Sequence, residues 1–298
     1  MSITVAIVGP TAVGKTDLSL DLAERLGGEI INADSMQFYR GMDIGTAKVP
    51  VTERRGIAHH LIDILDVRDT ANVATFQLAA RRAIAELHAR DKAAILVGGS
   101  GLFINAVLDD MQFPGTDDHI RQRLMTQADQ VGTQAMYDKL VAADPVAAAN
   151  VLPNNVRRII RALEVIEITG EAPNTSLPQL AEVIPSVRIG LHRDRDDLDA
   201  RIEQRVNAMW EQGLVAEVEE LEQCGLREGL TASKALGYQQ ILAALAGDCS
   251  LDQAKSDTVT GTRRFARRQQ SWFKRDKNIN WLDATHVTLD QVIDIVTP

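Results

Sequence analysis

Apolar positions along this chain recur with two periods, and the alternation between them predicts a layered fold. Residues Ile3–Val8 are mostly apolar and β-branched and run into Gly9, the signature of a buried strand. Leu18, Leu22 and Leu26 then follow at helical spacing across Thr16–Leu26, and the pattern stops at Gly27-Gly28, a helix-ending signal. "EIINADS" (29–35) predicts a second strand, "AHHLIDIL" (58–65) a third short apolar segment, and "AAILVGG" (93–99) a further buried strand. Between the last two, Val73–Arg90 carries Val73, Phe76, Ala80, Ile84 and Leu87 on one helical side. Strands alternating with helices imply an α/β fold, a parallel sheet with helices on both faces.

The rhythm lapses after about Leu108. "MQFPGTDD" is a turn-rich exit, and from His119 to about Glu171 the pattern is helical, broken at Asp144-Pro145 and Leu152-Pro153. "EAPNTSLPQLAEVIP" holds three prolines and reads as a return loop, after which "VRIGLHRD" restores a strand. Helices are expected over Leu198–Gln212, Leu214–Cys224 and about Gln253–Lys274. The economical organisation is a core built from 1–110 and 186–298, interrupted by an all-helical insertion at 111–185.

Composition narrows the class. The chain has 298 residues, 45% of them hydrophobic and 24% charged, enough to bury a substantial core. No apolar run reaches bilayer-spanning length, and "MSITVAIVG" enters a strand without a leader-like pattern, so a cytoplasmic protein without a membrane partner is expected. Two cysteines, Cys224 and Cys249, are too few for a disulfide framework or a zinc cluster. The net charge of −9 argues against nucleic acid as a partner of the surface at large, so any such affinity must come from local clusters.

The chemistry concentrates at "GPTAVGKT". Gly9, Pro10, Thr11, Ala12, Val13, Gly14, Lys15 and Thr16 satisfy G-x-x-x-x-G-K-[ST] at every fixed position, between a strand and a helix. Glycines let backbone N–H groups curl around phosphate oxygens, the helix N-terminus adds a favourable dipole, Lys15 brings a compact cation, and the Thr16 hydroxyl is placed to ligate Mg²⁺. A nucleotide hydrolase usually adds an acidic residue at the end of a neighbouring strand to help hold the metal. Here "AAILVGG" ends in Gly98-Gly99-Ser100 instead. The nearby acid is Asp34, at the sheet edge where open α/β folds bind ligands. Two roles fit it by type and place, a general base or a cap on the turn that follows.

These residues carry a resemblance. "GPTAVGKT", "INADSMQFYRGMDIGTAK", "HHLIDI", "LVGGSGLF", "RRIIRALEVIEITG" and "ALGYQQ" occur in the order found in bacterial tRNA dimethylallyltransferases, also called tRNA isopentenyltransferases, from about Val5 to Asp283. The chain thus resembles a family whose fold is a P-loop NTPase-like parallel sheet flanked by helices, with an inserted all-helical subdomain. The resemblance implies transfer of a dimethylallyl group from dimethylallyl diphosphate to the exocyclic amine of the adenosine 3′ to the anticodon. The loop would then grip the diphosphate of an isoprenoid donor rather than a nucleotide, with Mg²⁺ at Thr16. It implies catalytic roles for Asp34, Lys15 and Ser100, and donor contacts from Gly9–Thr16 and Lys234. Contacts to the tRNA would come from Asp34, Ser35, Met36, Gln37, Ser100, Arg121 and the segment Arg157, Arg158, Ile159, Ile160 and Arg161. Ser100 and Phe103 replace the family's more usual Thr and Tyr, and Lys234 replaces Arg, keeping the charge but not the bidentate fork. A monomer is expected.

Two helical arginine faces suit an RNA partner. At about 100° per residue, Arg263, Arg264, Arg267, Arg268, Lys274 and Arg275 share one face, with Val259, Phe265, Ala266, Trp272 and Phe273 opposite. No acidic residue intervenes between Gly261 and Arg275. Arg157, Arg158 and Arg161 likewise oppose Val156, Ile159, Ile160 and Leu163. Such faces are either solvated helix surface or phosphate-binding surface, and the resemblance selects the anticodon stem-loop of tRNA. The rivals are a nucleotide-dependent kinase, an isopentenyltransferase acting on free adenine nucleotides, and a non-enzymatic RNA-binding module. His59 and His60 are read as structural.

Overall fold

A computed structural model describes residues 2–170 and 181–297. The chain divides into two compact units, one formed by 1–109 with 182–298 and the other by 110–181. Residues 171–180, most of the expected return loop, lie outside the described residues.

The first unit is built on six strands: β1 (Thr4–Val8), β2 (Glu29–Asn32), β3 (His59–His60), β4 (Ala94–Gly98), β5 (Ser186–His192) and β6 (Ile279–Asp283). Their order is β3-β2-β4-β1-β5-β6, and every pairing is parallel. β1 and β2 are buried throughout, which is why they read as unbroken apolar runs rather than alternating ones. β3 holds only two residues, so most of "AHHLIDIL" lies outside the strand, in a bend that ends at a bridge between Leu65 and Tyr39. β6 was not anticipated: "INWLD" is short, half exposed and lies at the sheet edge, where no two-sided burial enriches its apolar content.

The helices of this unit are α1 (Lys15–Leu26), α2 (Val73–His88) and α3 (Gly101–Leu108), followed after the insertion by helices given below. α1 begins at Gly14 in the left-handed region (φ 111°) and ends at Gly27. α2 starts at Asn72, whose side chain accepts from the N–H groups of Ala74 and Thr75 and so satisfies two of the free donors of the first turn. Phe76, Ala80, Ile84 and Leu87 of α2 are buried in a core that also holds Phe38 and Phe103. Phe76 and Phe103 rings lie 5.0 Å apart.

The second unit is helical, with α4 (Asp118–Ala143), α5 (Pro145–Ala149) and α6 (Val156–Thr169). α4 is interrupted at Gly132 (φ 81°, ψ 163°), where the backbone leaves helical geometry. Leu124, Met136, Leu140, Ile159, Ile160 and Leu163 form its core. Asp117, Asp144 and Asn155 cap the three helices with side-chain oxygens.

The first unit resumes with α7 (Arg195–Glu211), α8 (Leu214–Gln223), α9 (Tyr238–Leu245), α10 (Leu251–Phe273) and α11 (Leu289–Val296). Arg188 on β5 is 3% exposed and bonds Asp109 at 2.5 Å and Asp276 at 2.7 Å. Burial raises the Asp109 carboxyl and the bonds from Arg188 oppose that rise. These three residues join the end of α3 to β5 and to the segment after α10. No helix among the described residues is long and apolar enough to cross a membrane.

Candidate active site

The loop after β1 and the start of α1 open onto a cavity of about 450 Å³ at the C-terminal edge of the sheet. Thr11 to Thr16 line it, while Gly9 and Pro10 lie buried behind. Three loop residues have positive φ, Gly9 (144°), Ala12 (63°) and Gly14 (111°). Lys15 Nζ donates to the carbonyls of Gly9 (2.9 Å) and Pro10 (2.7 Å), so the ammonium is held against the loop's own backbone. Burial lowers its pKa to about 7, Asp34 works against that fall, and Arg205 adds to it. The Thr16 hydroxyl has no hydrogen-bond partner among the described residues.

Asp34 faces these cations. It follows β2 and caps the short 3-10 turn Ser35–Phe38, its Oδ1 accepting from Met36 N–H at 3.0 Å. Both roles read from the sequence are therefore compatible in one residue: one oxygen caps, and the side chain also lines the cavity. Asn32 fixes the backbone around it, its Oδ1 accepting from Asp34 N–H at 2.9 Å and its Nδ2 donating to the Asp34 and Leu61 carbonyls. Gln37 also lines the cavity, whereas Ser35 and Met36 do not.

Sequence reasoning missed the contribution of α7 and α10. Arg201 and Arg205 enter the cavity from α7, and Gln269 from α10. Arg201 Nε donates to Ala12 O at 3.0 Å. Arg205 makes no hydrogen bond among the described residues, and burial lowers its pKa while Asp34 opposes the shift. A half-buried guanidinium with unspent donors, facing a cavity, is matched to an anionic ligand. Gln269 Oε1 accepts from Thr11 N–H at 2.9 Å, pinning the loop to α10. A Cβ on Gly99 would collide with that Gln269 carboxamide, so the glycine ending of β4 is explained by close packing. The signal for the α7 residues was present as "RIEQR", whose two arginines at i and i+4 share one helix face, but nothing local tied that face to the loop.

Other expected residues fall elsewhere. Ser100 is the half-buried N-cap residue of α3, without a side-chain cap bond, and does not line the cavity. Lys234 is exposed on the 3-10 turn Ala232–Lys234 and does not line it either. His59 reaches the cavity, its Nδ1 bonding Ile57 O, and burial lowers its pKa. His60 Nε2 bonds Glu29 at 2.7 Å and stays with the sheet.

The arginine faces need correction. On α6, Ile159 (0%) and Ile160 (7%) are buried in the helical core, so their side chains cannot meet RNA. Arg121 and Arg161 both bond the fully buried Glu164, which needs that compensation to be charged away from water. Arg157 and Arg158 are exposed. On α10, the absence of acids between Gly261 and Arg275 misled, because α7 supplies them: Arg263 bonds Glu203 at 2.7 Å and Arg267 approaches Asp199 at 3.4 Å. Phe265, assigned to the apolar face, is half solvated and carries Arg268 over its ring at 5.7 Å. Arg264 is exposed.

Known proteins share this plan. The sequence profile described as IPP transferase matches residues 37–276. A tRNA dimethylallyltransferase of Streptomyces griseus subsp. griseus is 55% identical over 282 residues, covering 95% of this chain and 90% of that relative. The solved tRNA isopentenylpyrophosphate transferase of Bacillus halodurans aligns with TM-score 0.73 and 43% identity, over 99% of this chain and 94% of that one. A eukaryotic dimethylallyltransferase solved acting on tRNA gives TM-score 0.82 at 28% identity, over 99% of this chain and 76% of that one. With a profile spanning most of its length and a curated relative identical at 55% of 282 aligned residues, this chain belongs to the IPP transferase family.

Proposed function

We propose that the chain is a tRNA dimethylallyltransferase that moves a dimethylallyl group from its diphosphate to N6 of the adenosine 3′ to the anticodon. The observation that carries this reading is the meeting of Lys15, Arg205 and Asp34 in one cavity. Two cations lining the same cavity suit a leaving diphosphate, and a carboxylate in that cavity suits a proton acceptor.

The step balances as a single displacement. The allylic C–O bond of the donor breaks and its electrons remain on the diphosphate, where Lys15, Arg205 and the loop N–H groups stabilise the growing charge. The C–N bond forms as the adenine amine attacks the electron-poor carbon. Asp34 takes the proton that the amine must lose, through the carboxylate oxygen that does not cap Met36. Asn32 holds Asp34 in place for this. Such an amine is unreachable within a stacked loop, so the base must turn out into the cavity.

The residues present fit a magnesium ion bound mostly through substrate. No group of three or more His, Cys, Asp or Glu side chains among the described residues could form a protein cage. The unpartnered Thr16 hydroxyl is a hard oxygen donor, and Mg²⁺ is commonly held by one or two such groups together with phosphates. When bound, the ion neutralises diphosphate charge. We also infer a monomer acting in the cytoplasm.

Incubation with labelled dimethylallyl diphosphate, Mg²⁺ and unmodified tRNA, then nuclease digestion, tests the reading. Label on a single adenosine nucleoside is expected. ATP hydrolysis without transfer, or transfer to free adenine nucleotide supplied in parallel but not to tRNA, would overturn it.

A further inference from the structure

Glu217, on α8, collects four donors that the reaction does not use directly. Its Oε2 accepts from the N–H groups of Asp43 (3.0 Å) and Ile44 (2.7 Å), and its Oε1 from Gly45 N–H (3.3 Å) and the Tyr238 hydroxyl (2.6 Å). Tyr238 is itself fully buried and packs on Gly45. The loop so held is closed by its own bonds, Ala47 N–H to Ile44 O and Lys48 N–H to Asp43 O, both 3.0 Å. It leads to Thr46, whose carbonyl accepts from Gln37 Nε2 at 3.0 Å. Gln37 and Thr46 both line the cavity with Asp34.

The polarity of the Gln37 carboxamide is therefore set by chemistry. A carbonyl oxygen can only accept, so the nitrogen must face Thr46 and the oxygen must face away. One N–H is spent on Thr46, leaving Oε1 as an acceptor and one N–H as a donor. Adenine offers a matching edge, an N6 amino donor beside a ring-nitrogen acceptor, and a glutamine carboxamide pairs with it in bidentate fashion. Guanine offers O6, an acceptor, in place of that amine. Meeting it would require the carboxamide to turn over, which would set Oε1 against the Thr46 carbonyl.

We propose that Glu217 is a positioning residue that locks Gln37 as an adenine reader, by holding the 43–46 loop so that the Thr46 carbonyl fixes the carboxamide's polarity. This rests on the tRNA reading above. In the bound geometry one amine hydrogen is accepted by Gln37 Oε1 and the other is directed to Asp34, so recognition and proton transfer share the same nitrogen.

The test measures binding rather than turnover. Dissociation constants are determined by fluorescence polarisation for two labelled anticodon stem-loops, with adenosine or guanosine at the acceptor position, and for inorganic pyrophosphate by calorimetry. The wild-type protein is expected to favour the adenosine loop roughly tenfold or more. Glu217→Ala should narrow that ratio several-fold while leaving the pyrophosphate constant unchanged. Glu217→Gln, which keeps one oxygen for the Asp43 and Ile44 amides, should restore most of the ratio. If Glu217→Ala does not fold, Gln37→Leu, which leaves the loop clamp intact, should bring the ratio near unity. A ratio unchanged in Gln37→Leu or in folded Glu217→Ala overturns the proposal, as does an equal loss of pyrophosphate and RNA binding. Wild-type protein that binds neither stem-loop instead contradicts the tRNA reading itself.

Discussion

Arg205 shows how much a single side chain depends on its surroundings. A guanidinium on a surface helix would be one more solvated charge, but this one is drawn into the cavity, its pKa lowered by burial, with Asp34 and Lys15 as its charged neighbours. Charge-assisted bonds to an anion contribute about 1.5–3 kcal/mol each. Arg205→Gln should therefore weaken pyrophosphate binding by roughly tenfold to a hundredfold, with stem-loop binding little changed, as calorimetry and polarisation would record. Equal weakening of both ligands would place Arg205 in a general structural role. The loop residues and Asp34 were legible because their signals are local, a fixed spacing between a strand and a helix. Arg201 and Gln269 were not, since their loop partners lie 189 and 258 residues away along the chain. Their chemistry is visible only once the fold brings them together.

At the scale of elements, caps and burial decide what periodicity leaves open. α2 was expected from its apolar face, yet its start is fixed by Asn72, which takes two first-turn N–H groups. Asn72→Ala should cost about 1 kcal/mol, read as a lower urea midpoint with an unchanged slope. A changed slope would mean that the helix end unfolds separately. The same scale explains where sequence reasoning on α10 went astray. A helix considered alone shows which charges share a face but not what a neighbouring helix sets against them, and α7 sets Asp199 and Glu203 against that face. For α6 the pattern was sound, with Ile159 and Ile160 opposite the arginines, and both are buried as that pattern requires.

For the molecule as a whole, one acidic residue ties neighbouring strands of the sheet. Glu29 on β2 is 6% exposed and bonds Lys92 at 2.5 Å, His60 at 2.7 Å and Arg90 at 3.2 Å. Burial alone would raise its pKa, but the bonds from Lys92, His60 and Arg90 outweigh it and hold the carboxyl at about 2, below its ordinary 4.5. A depressed folded pKa adds stability that is fully present above pH 4.5 and is lost as pH falls toward 2. Thermal unfolding followed between pH 6 and 3 should show Glu29→Gln less stable than the wild-type protein at the neutral end, with a flatter acid limb. An acid limb as steep as that of the wild-type protein would remove Glu29 from this role. The parallel sheet and the helical insertion were legible from rhythm and its interruption. The edge strand β6 was not, because exposed edges carry too few apolar positions to announce themselves.

The central claim is that Asp34 accepts the amine proton while the loop holds the departing diphosphate. Single-turnover transfer at saturating donor and tRNA tests it most directly, comparing wild-type protein with Asp34→Asn, a change that keeps the shape and the Met36 cap acceptor but cannot take a proton. The rate of the chemical step should fall on the order of a hundredfold or more while pyrophosphate still binds. An undiminished rate in a folded Asp34→Asn protein would contradict the account.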